Sequence, residues 1–240
     1  VGVDEPIQRG IDWLEQALTR PLQGFEGEPI LLNRLEAWLP ELEFWLPAVH
    51  ARSLPLDAVV TALEPLPRSR PRLAPRRMHG MLKGFIDLTF QSGGRWYVLD
   101  WKSNYLGERP EDYLGESLAR AMVEHRYDLQ YVLYTLALHR LLKARLGEDY
   151  DYERCMGGVL YVFLRGLDAG GGSPALAVDA EGETPGMATP GVFQRRPSQA
   201  LIEALDLWLG GDSSALDSLL LNTTDTSPLT QSGQQGDFDV

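Results

Sequence analysis

The segment from Leu82 to Lys102 constrains the fold more than any other part of the chain. Two runs rich in β-branched and aromatic residues, LKGFIDLTF and RWYVLDWK, are separated by Gln91-Ser92-Gly93-Gly94. Such runs form strands, and a Gly-Gly pair accommodates the positive backbone angles of a two-residue type I′ turn. A β-hairpin is therefore predicted, and its register sets Asp87 directly opposite Asp100, with Cβ atoms about 4.5 to 5.5 Å apart. Two bare carboxylates at that separation repel. Each also stands among apolar neighbours (Phe85, Ile86, Leu88; Val98, Leu99, Trp101), where burial disfavours the charged form. A positive group is expected between them. Mg²⁺ meets the need, because it takes one or two carboxylates and fills its other octahedral positions with water and substrate phosphate. The pair is thus a candidate centre for phosphoryl chemistry. Lys102, two residues beyond Asp100, shares its face in an extended strand. There it can hold or deprotonate a water, or offset charge on phosphorus.

Around the hairpin the pattern alternates between helix and strand. Apolar residues at helical spacing predict amphipathic helices over 8–18 (Ile11, Leu14, Leu18) and 30–39 (Leu31, Leu32, Leu35, Leu39). Pro40 stops the second, and Leu42, Phe44 and Leu46 alternate as a strand with Glu41 and Glu43 on its other side. Prolines at 65, 67, 71 and 75 make residues 64–76 a surface connection. Helices are expected over 111–125 and 127–146, the second apolar on one face and closed by Gly147. GGVLYVFLRG, residues 157–166, reads as a strand buried on both faces. A Gly-rich loop follows from Ala169 to Ser173, and a further helix is expected at about 198–209. This is an α/β order. The expected division is a helical N-terminal segment (1–40), a catalytic domain (41–211) and an acidic tail (212–240), disordered beyond about Thr223.

The net charge of -12 runs against a nucleic-acid partner, but the acid lies mostly in the flanks. Residues 1–50 hold three basic and nine acidic side chains, and residues 171–240 hold two and ten. In the middle, Arg68, Arg70, Arg72, Arg76, Arg77 and Lys83 form a basic run that reads either as a phosphate-facing edge or as a solvated loop. The single cysteine, Cys155, excludes an internal disulfide and a zinc cluster. It fits a small buried residue in a reducing cytoplasm. No apolar run approaches the length of a membrane-spanning helix. The opening VGVDEPIQRG lacks a signal pattern and an initiator Met, so the chain reads as a piece of something larger.

GFIDLTF, LDWKSN, YDLQYVLYTLALHRLL and GGVLYVFLRG, in this order, resemble the C-terminal nuclease domain of the RecB subunit of RecBCD helicase-nucleases (exodeoxyribonuclease V). The resemblance runs from about Glu41 to Gly166, with a weaker echo at Arg196-Pro197. It implies the PD-(D/E)xK restriction-endonuclease-like fold, a central mixed sheet flanked by helices, cutting DNA with Mg²⁺, for which Ca²⁺ or Mn²⁺ can substitute. Asp87 and Asp100 then correspond to the family's two acids and Lys102 to its lysine, with the Trp101 backbone carbonyl similar to a further metal ligand. Gln130 and Tyr134 match the Q-x-x-x-Y element that faces the active site and the DNA strand. Glu41 and Glu43 resemble an upstream acidic strand, one member of which supports the metal; Glu41 is taken as that member, with Glu43 as the alternative. The implied partners are DNA, the remaining RecB polypeptide, RecC and RecD, in a bacterial cytoplasm without membrane attachment. The family's additional metal-ligating histidine has no counterpart among His50, His79, His125 and His139, and the chain is expected to begin downstream of it. A catalytically weak or inactive protein-docking module of the same fold is the competing expectation.

Overall fold

The computed structural model describes residues 4–66, 69–169, 175–177 and 186–224. Helix α1 (Glu5–Thr19) leads into two short strands, β1 (Leu22–Gln23) and β2 (Pro29–Ile30), and then into the long strand β3 (Ala37–Arg52). Helix α2 (Ser53–Leu63) precedes the hairpin strands β4 (Arg77–Ser92) and β5 (Arg95–Lys102). Helices α3 (Gly115–Glu124), α4 (Tyr127–Leu146) and α5 (Tyr152–Cys155) connect these to β6 (Met156–Phe163). The rest comprises α6 (Leu164–Ala169), the pair β7 (Ala175–Ala177) and β8 (Gly186–Ala188), β9 (Val192–Arg195), α7 (Gln199–Leu209) and α8 (Ala215–Thr224).

The central sheet has the order β3-β4-β5-β6-β9, with β5 and β6 parallel and the other neighbours antiparallel. This is the mixed sheet that the sequence resemblance implied. The hairpin turn is as predicted: Ser92 pairs with Arg95 across Gly93 (φ 58°) and Gly94 (φ 73°), and the ladder continues to Leu88↔Leu99. Beyond that pair the ladder stops. The next two residues are Asp87 and Asp100.

Strand β6 alternates between two cores. Val159, Tyr161 and Phe163 face a large cluster with α2, α4 and α7, while Leu160 and Val162 face a smaller one with Leu22, Ile30 and Phe90. Helix α4 is buried almost all round, not on one face as expected, because it is layered between the sheet and the helices α2 and α7. Ile86 belongs to the large cluster, whereas Leu88 and Phe90 belong to the small one. The register of β3 with β4 is the same on both sides of this switch (Pro40↔Leu88, Leu42↔Ile86), and Glu41 between them has φ 50°. An αL residue inside a strand breaks the alternation of faces. Asp87 therefore stands where the sheet changes the face it buries.

Several sequence expectations are corrected. The helix expected over 30–39 is a single 3-10 turn (Leu32–Arg34) followed by β3, because residues from Ala37 onward find ladder partners in β4. The N-terminal 40 residues thus hold one α-helix together with strand. Pro40 and Pro47 are tolerated because β3 is an edge of the sheet. Helix α2 was not anticipated. The helix expected over 111–125 divides at Gly115 (φ 47°) into a 3-10 turn (Pro110–Tyr113) and α3. Part of the expected acidic tail is α8, which packs on α7 and α2 with Leu216 buried. Cys155 is partly buried at the end of α5. The Gly-rich stretch 170–173, the tail beyond 224 and Arg68 lie outside the described residues.

Candidate active site

Asp100, Lys102 and Tyr161 share the face of the sheet that α4 covers, since Asp100 and Tyr161 are register partners across the parallel β5–β6 pair. The i, i+2 placement brings Lys102 Nζ to 2.6 Å from Asp100 Oδ2, with only 4% of Asp100 and 9% of Lys102 exposed. The ammonium also donates to Gln130 Oε1 at 3.0 Å. It lies 3.9 Å from the centre of the Tyr127 ring and 5.0 Å from that of Tyr161. Aromatic faces stabilise a cation that is largely withdrawn from water.

Asp87 reaches the same place from β4. Its Oδ2 accepts the Trp101 backbone N–H at 2.8 Å, so a side chain takes the position that the interrupted ladder leaves open. Burial pushes the Asp100 carboxyl above its ordinary range; Lys102 opposes this and Asp87 adds to it. Oδ1 of each aspartate makes no hydrogen bond among the described residues. The centre therefore has two carboxylates, one lysine and two uncommitted oxygens from separate strands, an arrangement short of one positive charge. A divalent cation ligated by oxygen fits such a donor set. Among the described residues no three His, Cys, Asp or Glu side chains form a ready-made metal cage. An open position of this kind leaves room for water and phosphate.

Gln130 and Tyr134 lie on one face of α4, as their spacing predicted. Gln130 Oε1 accepts from both Lys102 and the Tyr161 hydroxyl (3.0 Å), while Nε2 donates to the Tyr134 hydroxyl (2.9 Å). Tyr134 packs edge-on against Phe44 and is 8% exposed. Burial and then the negative charge of Asp100 push its hydroxyl up to about 12. Gln130 thus reaches the active-site lysine, and Tyr134 stands behind Gln130, largely enclosed.

In the acidic strand, Glu41 has a left-handed backbone (φ 50°), and both Glu41 and Glu43 are exposed. Glu43 is held by Lys83 (3.0 Å) and Trp45 (2.7 Å), which keep its carboxyl below the usual range. Glu41 is opposite Asp87 in register but exposed, and it makes no hydrogen bond or ion pair among the described residues. The basic run does not act as one edge: Arg70 is buried against Asp128 (3.3 Å) and the Val60 and Glu64 carbonyls, while Arg72, Arg76 and Arg77 are exposed.

Sequence reasoning missed the tyrosine box around Lys102. Tyr161 is a hydroxyl-bearing residue in an otherwise aliphatic and aromatic strand, a legible signal, whereas the role of Tyr127 depends on how α4 docks.

A family model described as the PD-(D/E)XK nuclease superfamily matches residues 6–218. The RecBCD enzyme subunit RecB of Escherichia coli (strain K12) is 41% identical over 203 residues, covering 83% of this chain and 16% of that protein. The subunit of the same name from Haemophilus influenzae is 35% identical over 206 residues, covering 85% and 15%. That from Mycobacterium tuberculosis (strain H37Rv) is 39% identical over 134 residues, covering 55% and 11%. The chain thus spans a minor part of the length of the curated relatives it matches. Among the described residues no helix is long and apolar enough to cross a membrane.

Proposed function

Because the chain belongs to the PD-(D/E)XK nuclease superfamily, whose members are generally dependent on a divalent metal, we propose that it is a Mg²⁺-dependent nuclease that hydrolyses DNA phosphodiester bonds. The observation that carries this reading is the convergence of Asp87, Asp100 and Lys102 beneath α4, with one oxygen of each acid uncommitted. Asp87, Asp100 and the Trp101 carbonyl would hold the ion; when bound, it neutralises phosphate oxygens and makes a water more acidic. Lys102 is the catalytic cation. An ammonium has three N–H donors, of which two engage Asp100 and Gln130, leaving one for the attacking water or a non-bridging phosphate oxygen. Gln130 and the rings of Tyr127 and Tyr161 keep that ammonium from swinging toward solvent, which lowers the reorganisation required in the transition state. Glu41, exposed opposite Asp87, is a peripheral support at most.

The likeness to RecB supports an exonuclease acting in double-strand break repair, inside a RecBCD-type assembly with the rest of a RecB polypeptide, RecC and RecD, in a bacterial cytoplasm. Helicase motors would then deliver the strand, and phosphate contacts elsewhere in the assembly would offset this chain's acidity. Cleavage of an end-labelled DNA strand in Mg²⁺, with and without chelator and beside Asp100→Ala, tests the reading. Turnover that survives chelation, or is equal in the variant, removes it. An intact fold that cuts nothing in any divalent ion would favour the docking module.

A further inference from the structure

The parallel strands β5 and β6 end side by side, and the residues just past their C-terminal ends are not used by the chemistry described above. Tyr105, three residues beyond Lys102, is 59% exposed. Arg165, two residues beyond the end of β6, is exposed too, with its guanidinium 5.8 Å from the Tyr105 ring centre and Nε donating to the Ser103 carbonyl at 3.2 Å. Its terminal amino groups make no hydrogen bond among the described residues.

The backbone beneath this pair is braced. The Leu106 N–H donates to the hydroxyl of the buried Tyr113 (3.2 Å), and the Tyr113 carbonyl accepts from Gly191 (2.9 Å). Gly191 in turn packs on Gly166, where a Cβ would lie 2.5 Å from the Gly191 Cα, so the turn carrying Arg165 tolerates no side chain at that crossing. An exposed ring and an exposed guanidinium are thus held on a stiff base within a few residues of the catalytic lysine.

We propose that Tyr105 and Arg165 form the step on which a single DNA strand rests beside the cleavage centre, an unpaired base stacking on the ring and a backbone phosphate pairing with the guanidinium. A base inside a duplex cannot offer its face to Tyr105, so the step selects unpaired strands. Base–aromatic stacking is largely indifferent to sequence, and a guanidinium with free terminal donors suits phosphate. Glu108 and Asp112 also lie near Tyr105, but Asp112 is paired with Arg109. The inference rests on the nuclease reading for its substrate.

The test measures anisotropy of fluorescein-labelled ligands in Ca²⁺, with strand integrity checked on a gel. The ligands are an oligothymidylate of about twelve nucleotides, within the range of single-strand sites, its abasic counterpart and a duplex of equal length. Tyr105→Ala is expected to weaken thymidylate binding about tenfold and abasic binding little, while Tyr105→Trp restores it. Arg165→Gln is expected to weaken both single strands and to reduce the slope of log K against log salt by about 0.7. Since both side chains are exposed, thermal midpoints should match the wild type. Thymidylate affinity unchanged in Tyr105→Ala, an equal loss on the abasic strand, or no binding by the wild type would each overturn the step. Cleavage in Mg²⁺ with an unaffected Tyr105→Ala sinks the step alone; Tyr105-dependent binding without cleavage sinks the nuclease reading alone.

Discussion

Two groups of charge flank the first turn of α4, and they are balanced differently. On one side Asp128, fully buried, meets Arg70 (3.3 Å) and Arg126 (3.1 Å), and Arg126 also meets Asp57 (2.6 Å). Two acids face two guanidiniums. Nearby, buried Glu64 takes Arg195 (2.8 Å) and the Tyr131 hydroxyl (2.9 Å). On the other side, two residues along the same turn, Gln130 braces Lys102 against Asp100, with Asp87 close by and one positive charge too few. The first group ties α2 and the connection before β4 to α4. The second leaves its deficit open to a ligand. Buried charges that serve only the fold are paired, so an uncompensated pair marks a site with more to bind.

The largest test of this contrast is Asp128→Ala, which leaves buried Arg70 with no carboxylate partner among the described residues and Arg126 with Asp57 alone, and is expected to cost about 3–5 kcal/mol of stability, read from the denaturant midpoint. A loss below about 1 kcal/mol, on the scale of an exposed pair, would show that the balanced group is not structural. Lys102→Ala should instead leave a folded protein whose kcat falls by about 10²–10³-fold, as for loss of one preorganised transition-state contact. A comparable fall in stability with unchanged kcat would reverse the two assignments. Adding Mg²⁺ should raise the thermal midpoint of the wild type, corresponding to about 2.7 kcal/mol at one hundred times Kd. Asp100→Ala should show no such rise, and an equal rise in both proteins would place the cation elsewhere.

The smallest effect concerns the far part of α4. Burial holds His139 below the usual histidine range, with Nδ1 2.7 Å from the Tyr150 hydroxyl and Nε2 without a hydrogen-bond partner among the described residues. Its folded pKa is depressed, so the unfolded chain binds the extra proton first. Its contribution to stability is therefore present above about pH 6.5 and lost as pH falls from there toward the folded value. His139→Gln should flatten that limb of the unfolding free energy; an unaltered limb assigns it to another group.

Much of the site was legible because its signals are local. A Gly-Gly turn fixes which residues oppose each other, strand alternation places Lys102 with Asp100, and helical spacing places Gln130 with Tyr134. The errors arose where long-range pairing overrode local pattern. Leu31, Leu32, Leu35 and Leu39 have helical spacing, yet the ladder with β4 draws the chain from Ala37 onward into a strand. Arg70 looked like part of a phosphate-facing run, but α4 presents Asp128 to it.

By itself the sequence determined the hairpin, its register and the face that Asp100 and Lys102 share, because turn chemistry and the two-residue repeat of a strand act over a few residues. Only the tertiary structure decided that Gln130, Tyr127 and Tyr161 enclose the lysine, that Tyr134 is a buttress, and that Tyr105 meets Arg165. Those contacts join elements separated by tens of residues, and their geometry depends on how α4 docks and where the parallel strands end.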